Sequence, residues 1–99
     1  DPVAPGSVSE ASVSPGEGLA MFEWTAPNSA NYFACRIYIS ETADIANAAL
    51  VATEFGAPSM VDQRTITSLE AGTYYGWLVS INASGVPAAA VSVGGFEVA

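Results

Sequence analysis

Apolar residues recur at every second position in several short stretches of this chain, and turn-forming residues separate those stretches. In the segment LAMFEWTAP, for example, Ala20, Phe22 and Trp24 fall on one side of an extended backbone. A spacing of two is typical of a β-strand, because successive side chains point to opposite faces of a sheet. Heptad repeats are absent, so the spacing predicts an all-β protein.

The turn signals divide the chain into about seven strands. Strand-like segments begin near Ser7 and Leu19, and the others read YFACRIYIS, LVATEF, RTITSL, TYYGWLVSI and AAAVSVGGFEV. One segment breaks the two-residue period, and we predict a short helical turn near residues 42–48 with Ile45 facing inward. Strands of this number and spacing predict an immunoglobulin-like sandwich of antiparallel strands.

The domain organisation follows from length and from the first residues. A chain of 99 residues is the size of one domain with one core. Residues 1–6 contain two prolines and a glycine, which favour a stiff linker, and residues 7–99 are predicted to form the domain.

The alternation also predicts which side chains face the core. After the turn at Gly72, the positions Tyr75, Trp77, Val79 and Ile81 are all apolar, so we expect them to point inward. In the third strand Ile37 lies on the more apolar side. The alternation places Trp24, Ile37, Tyr75 and Trp77 in the predicted structural core, and the family resemblance described below adds Leu69.

The opposite positions of the same strands form a candidate interaction surface. Its members are Tyr32, Arg36, Tyr38, Tyr74 and Leu78. Aromatic rings beside an arginine suit a protein interface or sugar stacking. Exposed tyrosines also pair across strands simply as part of a sheet, so these three interpretations stay open at this point.

The charge balance excludes some classes of partner. The chain has ten acidic residues, two arginines, no lysine and a formal net charge of -8. Binding to nucleic acid or to an anionic membrane requires basic residues, so neither is expected, and no apolar run is long enough for membrane insertion.

The sequence also offers little for catalysis. It has no histidine, which rules out Ser-His-Asp and Cys-His arrangements within this chain. Cys35 lies on the predicted inner face, and the acidic residues are scattered, so we predict no enzyme, cofactor or metal site. Asn82 to Ser84 match the N-glycosylation acceptor pattern, which we interpret as a turn.

A family resemblance accompanies these patterns. Trp24 and Pro27 in the second strand, the third strand FACRIYIS and the segment LEAGTYYGWLVSINASG together resemble a fibronectin type III domain. In this family a leucine, a glycine turn and a tyrosine follow one another, and Leu69, Gly72 and Tyr75 match them. The resemblance implies that the Tyr75 hydroxyl bonds to the backbone near Leu69, with Tyr74 pointing outward.

The segments RIYIS, ADIA, FGAP and AGTYYGWLVSINASG are most similar to type III modules of bacteriophage tail-tip and tail-fibre proteins. This similarity implies a non-catalytic spacer or protein-interaction module in a virion tail or outside the cell. Its partners would be neighbouring domains or subunits, with a host-surface receptor or glycan as further candidates. The alternatives are an accessory module of a secreted bacterial polysaccharide-degrading enzyme and an adhesion module of a receptor.

Overall fold

Two antiparallel β-sheets pack face to face in the computed structural model, which describes all 99 residues. One sheet has the order β1-β2-β5, and the other has the order β4-β3-β6-β7. The strands are β1 (Ser9–Gly16), β2 (Leu19–Thr25), β3 (Ala34–Ser40), β4 (Ala49–Phe55), β5 (Val61–Ile66), β6 (Gly72–Ile81) and β7 (Val91–Val98). The prediction of a seven-stranded antiparallel sandwich is confirmed.

The link between β3 and β4 contains the only helical turn, a 3-10 turn at Ile45–Asn47. Asp44 caps it, since its carboxylate accepts a hydrogen bond of 3.0 Å from the Ala46 backbone nitrogen. The predicted helical turn is therefore present, but the predicted inward orientation of Ile45 is wrong. Its side chain is 41% exposed, because a turn of three residues has no buried side.

The core lies between the sheets and draws on both. It is a cluster of 13 buried residues, in which Phe22, Trp24 and Ile37 have no exposed surface. Phe22 of the three-stranded sheet meets Phe96 of the other sheet edge to face, with ring centroids 5.8 Å apart. Leu69 packs against the border of this cluster. Burial of these large side chains holds the two sheets together.

The side of strand β6 that faces the core is the opposite of the side that the sequence predicts. Leu78 is fully buried in the core cluster, whereas Trp77 lies outside that cluster on the other side of the strand. A Cβ atom on Gly76 would lie 2.8 Å from Phe22 Cε1, so this position faces the other sheet and must remain a glycine. The core assignment of Tyr75 and Trp77 is thus corrected, because Tyr74, Gly76 and Leu78 occupy the inner face.

The two adjacent tyrosines consequently exchange their predicted roles. The Tyr74 hydroxyl donates a 2.8 Å hydrogen bond to the Glu70 carbonyl oxygen, and its ring stacks on Phe96 at 6.1 Å. Tyr75 lies on the outer face, where a Cβ atom on Gly95 would be 3.0 Å from Tyr75 Cε1. Tyr74, and not Tyr75, therefore ties the β5–β6 corner to the backbone upstream of it.

The segment that was predicted to be a linker, residues 1–6, is held against the sandwich by the buried Asn82 side chain. Asn82 Nδ2 donates to the carbonyl oxygens of Asp1 and Val3, at 2.7 and 2.9 Å. Asn82 Oδ1 accepts from the backbone nitrogens of Ser84 and Val86, at 3.0 and 2.9 Å. All four hydrogen-bonding positions of this amide are satisfied, so Asn82 to Ser84 form a structural turn.

Candidate functional site

The most distinctive surface of the molecule is the outer face of the four-stranded sheet. The strand register sets Leu50 of β4, Tyr38 of β3 and Trp77 of β6 side by side in one row. A second row contains Phe55, Ala34 and Ile81. We call this surface the aromatic face and define it by Arg36, Tyr38, Leu50, Phe55, Tyr75 and Trp77.

The floor of the aromatic face is apolar and closely packed. Of the 17 buried hydrophobic residues, 13 belong to the core cluster between the sheets. The remaining four lie on this outer face, and they are Ala34, Trp77, Val79 and Ile81. The four-stranded sheet therefore buries apolar side chains on both of its sides, which is unusual for an antiparallel sheet with no layer packed over it.

Larger and more exposed side chains surround these four buried residues. Leu50 and Phe55 are 49% and 63% exposed, and Phe55 meets Phe33 edge to face with ring centroids 5.2 Å apart. Tyr38 and Tyr75 are half-buried. Large apolar residues exposed together on one side of a small domain mark a surface that favours contact with another molecule.

Arg36 supplies the only positive charge on the aromatic face. It lies opposite Val79 in the register, and a Cβ atom on Gly85 would be 3.5 Å from Arg36 Nη2. The guanidinium group therefore extends toward the loop between β6 and β7. Arg36 forms no salt bridge, because the single ion pair of the structure joins Arg64 to Glu54 at 3.0 Å.

Carboxylates are nearly absent from the aromatic face. Of the ten acidic residues, only Glu97 shares this face, at the end of β7, where the Thr73 hydroxyl contacts it at 3.4 Å. In a chain of net charge -8, this face can approach another acidic surface with the least repulsion. The arrangement suits a flat, largely apolar contact with an arginine at the end nearest the β6–β7 loop.

The structure divides the residues that were predicted to form the interaction surface. Arg36 and Tyr38 do lie together on the aromatic face. Tyr32, Tyr74 and Leu78 do not, which corrects the prediction. Leu78 and Tyr74 are on the inner side of β6, and Tyr32 precedes β3, so the alternation of that strand does not govern its orientation.

Leu50, Phe55 and Tyr75 were missed as members of this face. Gly76 was the signal that could have found Tyr75, because a glycine inside a strand marks a close approach from another element. That observation would have placed the even positions of β6 inward and Tyr75 outward.

A second cluster of polar atoms lies between the sheets near β5. Three buried side-chain atoms here have no hydrogen-bond partner, namely Trp24 Nε1, the Tyr32 hydroxyl oxygen and Asp62 Oδ2. Burial raises the pKa of Tyr32 to about 12, against a smaller opposing effect of the nearby Trp24 indole. Burial also raises the pKa of Asp62, and the neighbouring Glu54 carboxylate adds to this. Because polar atoms buried without a partner cost free energy, this cluster does not stabilise the edge of the core.

Cys35 is a core residue. Its side chain is fully buried, and burial raises the pKa of its thiol to about 12. A thiol that stays protonated is a poor nucleophile, so Cys35 acts as a small apolar side chain.

The rest of the surface has no cavity, and no group of three or more acidic, histidine or cysteine side chains is placed to hold a metal ion. The chain also has no helix with the length and apolar character needed to cross a membrane. In comparisons with known proteins, no family model matches the chain and no curated protein is significantly similar to it.

Proposed function

We propose that this protein is a non-catalytic structural and protein-interaction module of a larger protein, and that the aromatic face is its contact surface. One observation carries this proposal. The exposed side chains of Leu50 and Phe55 share a face with Arg36, which forms no salt bridge, and this face is almost free of carboxylates. Contacts between proteins are enriched in aromatic residues and arginine.

The aromatic face is too small to form a stable interface between two proteins that are not otherwise connected. Four strands about 4.8 Å apart and about seven residues long give a flat area on the order of 450 Å². A stable interface between free proteins buries about 800 Å² on each partner. A neighbouring domain or subunit of the same assembly, held close by its connection, would bind a smaller face through its high effective concentration.

The proposed family is that of fibronectin type III domains. The Tyr74 hydroxyl, bonded to Glu70 at the start of the sixth strand, supports this proposal, since sandwiches of the immunoglobulin type carry such a tyrosine at this corner. The motif is thus shifted by one residue from the match at Tyr75 that the sequence suggested. Within that family, the resemblance of the sequence favours a module of a phage tail-tip or host-recognition protein.

A second candidate is an accessory module of a secreted polysaccharide-degrading enzyme. The half-buried rings of Tyr38 and Tyr75 on one face of the sheet favour it, because aromatic rings stack on sugar rings. Sequencing the complete reading frame and its neighbours separates the candidates. Tail-assembly genes alongside support the first, and a glycosidase-like domain in the same chain supports the second.

Chemical nitration of tyrosines tests the contact surface directly. In the isolated protein we expect Tyr38 and Tyr75 to be modified, and in the parent assembly we expect both to be protected. Tyr32 and Tyr74 serve as internal controls, because one is buried with a raised pKa and the other is hydrogen-bonded against the core. Equal modification of Tyr38 and Tyr75 in the two samples would remove the aromatic face from the proposal.

Matched variants extend this test. Tyr38→Ala and Tyr75→Ala should weaken the contact with the parent assembly, whereas Met21→Ala, on the outer face of the three-stranded sheet, should not. For the second candidate, co-sedimentation with a polysaccharide should depend on Tyr38 and Tyr75 in the same way.

A further inference from the structure

The four edge strands of the sandwich are not equally protected against pairing with another strand. The ladders that join β1, β4 and β7 to their neighbours each contain a register shift. The ladder between β5 and β2 contains none, and its six residue pairs run in regular register from Val61 to Ile66. Bulges hinder the addition of a further strand, so β5 is the one edge without this protection.

The outward backbone groups of β5 can be assigned from the ladder. The Ala26 backbone nitrogen donates to the Met60 carbonyl oxygen at 2.8 Å, which makes this a hydrogen-bonded pair. Such pairs alternate along an antiparallel ladder, so Val61, Gln63 and Thr65 turn their N–H and C=O groups away from β2. These three residues present a regular row of free donors and acceptors at the sheet edge.

Side chains along this edge define what kind of strand would fit. Met60 and Val61 are 56% and 62% exposed at its beginning. Asp62 faces the space between the sheets, its Oδ2 atom has no hydrogen-bond partner, and Glu54 lies nearby. Arg64 does not compensate Asp62, because it pairs with Glu54.

An added strand would cover the part of Asp62 that is still exposed to solvent. A neutral strand would leave this carboxylate unpaired, and a second copy of this acidic chain would bring further negative charge. A strand with a basic residue opposite Asp62 would instead neutralise it, because cross-strand neighbours have Cβ atoms about 5 Å apart.

We propose that the β5 edge binds one extended segment of a partner protein by strand addition. The segment carries a lysine or arginine opposite Asp62 and apolar residues on its outer side, next to Val61. This site lies on the three-stranded sheet and does not depend on the role proposed for the aromatic face.

The test uses two synthetic peptides with the protein labelled for NMR. The lysine peptide is Val-Thr-Val-Lys-Val-Thr-Val, and the glutamate peptide differs only in having glutamate at its centre. We expect the lysine peptide to slow amide hydrogen exchange at Val61, Gln63 and Thr65 by about tenfold or more, since these donors become bonded. The glutamate peptide should leave the exchange unchanged.

Three variants keep the test specific. Gln63→Pro removes the central free donor at a position where an edge strand tolerates proline, and it should abolish binding, whereas Gln63→Thr keeps the donor and should bind normally. Asp62→Asn should bring the two peptides to equal affinity without affecting the free backbone groups.

Three results would overturn the proposal. They are the absence of protection at β5 with the lysine peptide, shifts spread over the acidic surface without protection at β5, and concentration-dependent protection without peptide. The last result would identify a second copy of the chain as the occupant. None of them would bear on the nitration test of the aromatic face.

Discussion

The two outer faces of this sandwich differ in almost every respect, although both belong to antiparallel sheets of the same small domain. On the three-stranded sheet the outward residues are mainly polar side chains, among them Ser12, Ser14, Glu23, Gln63 and Thr65. On the four-stranded sheet, Trp77, Val79 and Ile81 are buried with no layer above them, and the only carboxylate is Glu97.

The difference shows that sheet stability alone does not explain the aromatic face. The three-stranded sheet is held by the core beneath it and leaves its other side to water, as antiparallel sheets commonly do. The four-stranded sheet shares the same core, yet it also carries a second apolar layer that reduces solubility unless a partner covers it. This second layer is the contact surface that we propose above.

The largest expected effect is that of Trp77→Ala. Trp77 is 8% exposed and lies outside the core cluster, so we expect its truncation to lower the free energy of unfolding by about 2 kcal/mol, less than for a tryptophan inside that cluster. Urea denaturation measures this loss. Glu23→Ala, at the middle of the other outer face, is the matched control and should stay within about 0.5 kcal/mol of the parent.

Equal effects of the two substitutions would break the comparison between the faces. If Trp77→Ala were as harmless as Glu23→Ala, the apolar floor of the aromatic face would contribute nothing to the fold. The two faces would then differ in composition but not in energetic role.

A smaller effect is expected from removing one hydroxyl group of the tyrosine pair. Tyr74→Phe deletes the hydrogen bond to the Glu70 carbonyl oxygen and should cost about 1 kcal/mol. Tyr75→Phe removes a hydroxyl that makes no hydrogen bond within the protein, so the change should be close to zero. Thermal unfolding of the two variants side by side gives the answer, and a larger loss in Tyr75→Phe would restore the assignment that the sequence suggested.

The sequence predicts the strands of this protein better than it predicts their orientation. In β2 only one side carries aromatic residues, so Phe22 and Trp24 could be assigned to the core. In β6 both sides are apolar, and the side with tryptophan, valine and isoleucine is the outer one. A period of two locates a strand, but it cannot say which face meets the other sheet when both faces are covered.

The candidate site was predictable in part for the same reason. Arg36 and Tyr38 alternate cleanly with the core residue Ile37, and the sequence placed them on one face. Leu50 and Phe55 join them only through the pairing of β4 with β3. That pairing contains a register shift beside Tyr38, which no local pattern announces.

The smallest effect concerns Asp62, at the boundary between the two sheets. Burial, and after it the Glu54 carboxylate, raise the pKa of Asp62, so the folded chain binds this proton more tightly than the unfolded chain does. Ionised Asp62 therefore opposes folding above its raised pKa, and the opposition disappears as the pH falls below about 3.9, the ordinary value of an aspartate. Asp62→Asn should raise the melting temperature at neutral pH by roughly 2 °C or less, with no gain in acid.

Glu23→Gln removes the same charge from the polar outer face and controls for the general relief of repulsion in an acidic chain. If Asp62→Asn instead lowered the melting temperature at neutral pH, the ionised carboxylate would be accepting a favourable hydrogen bond, for which the neighbouring Tyr32 hydroxyl is a candidate donor. The strand-addition proposal would then lose its unpaired charge, while the contrast between the two outer faces would stand.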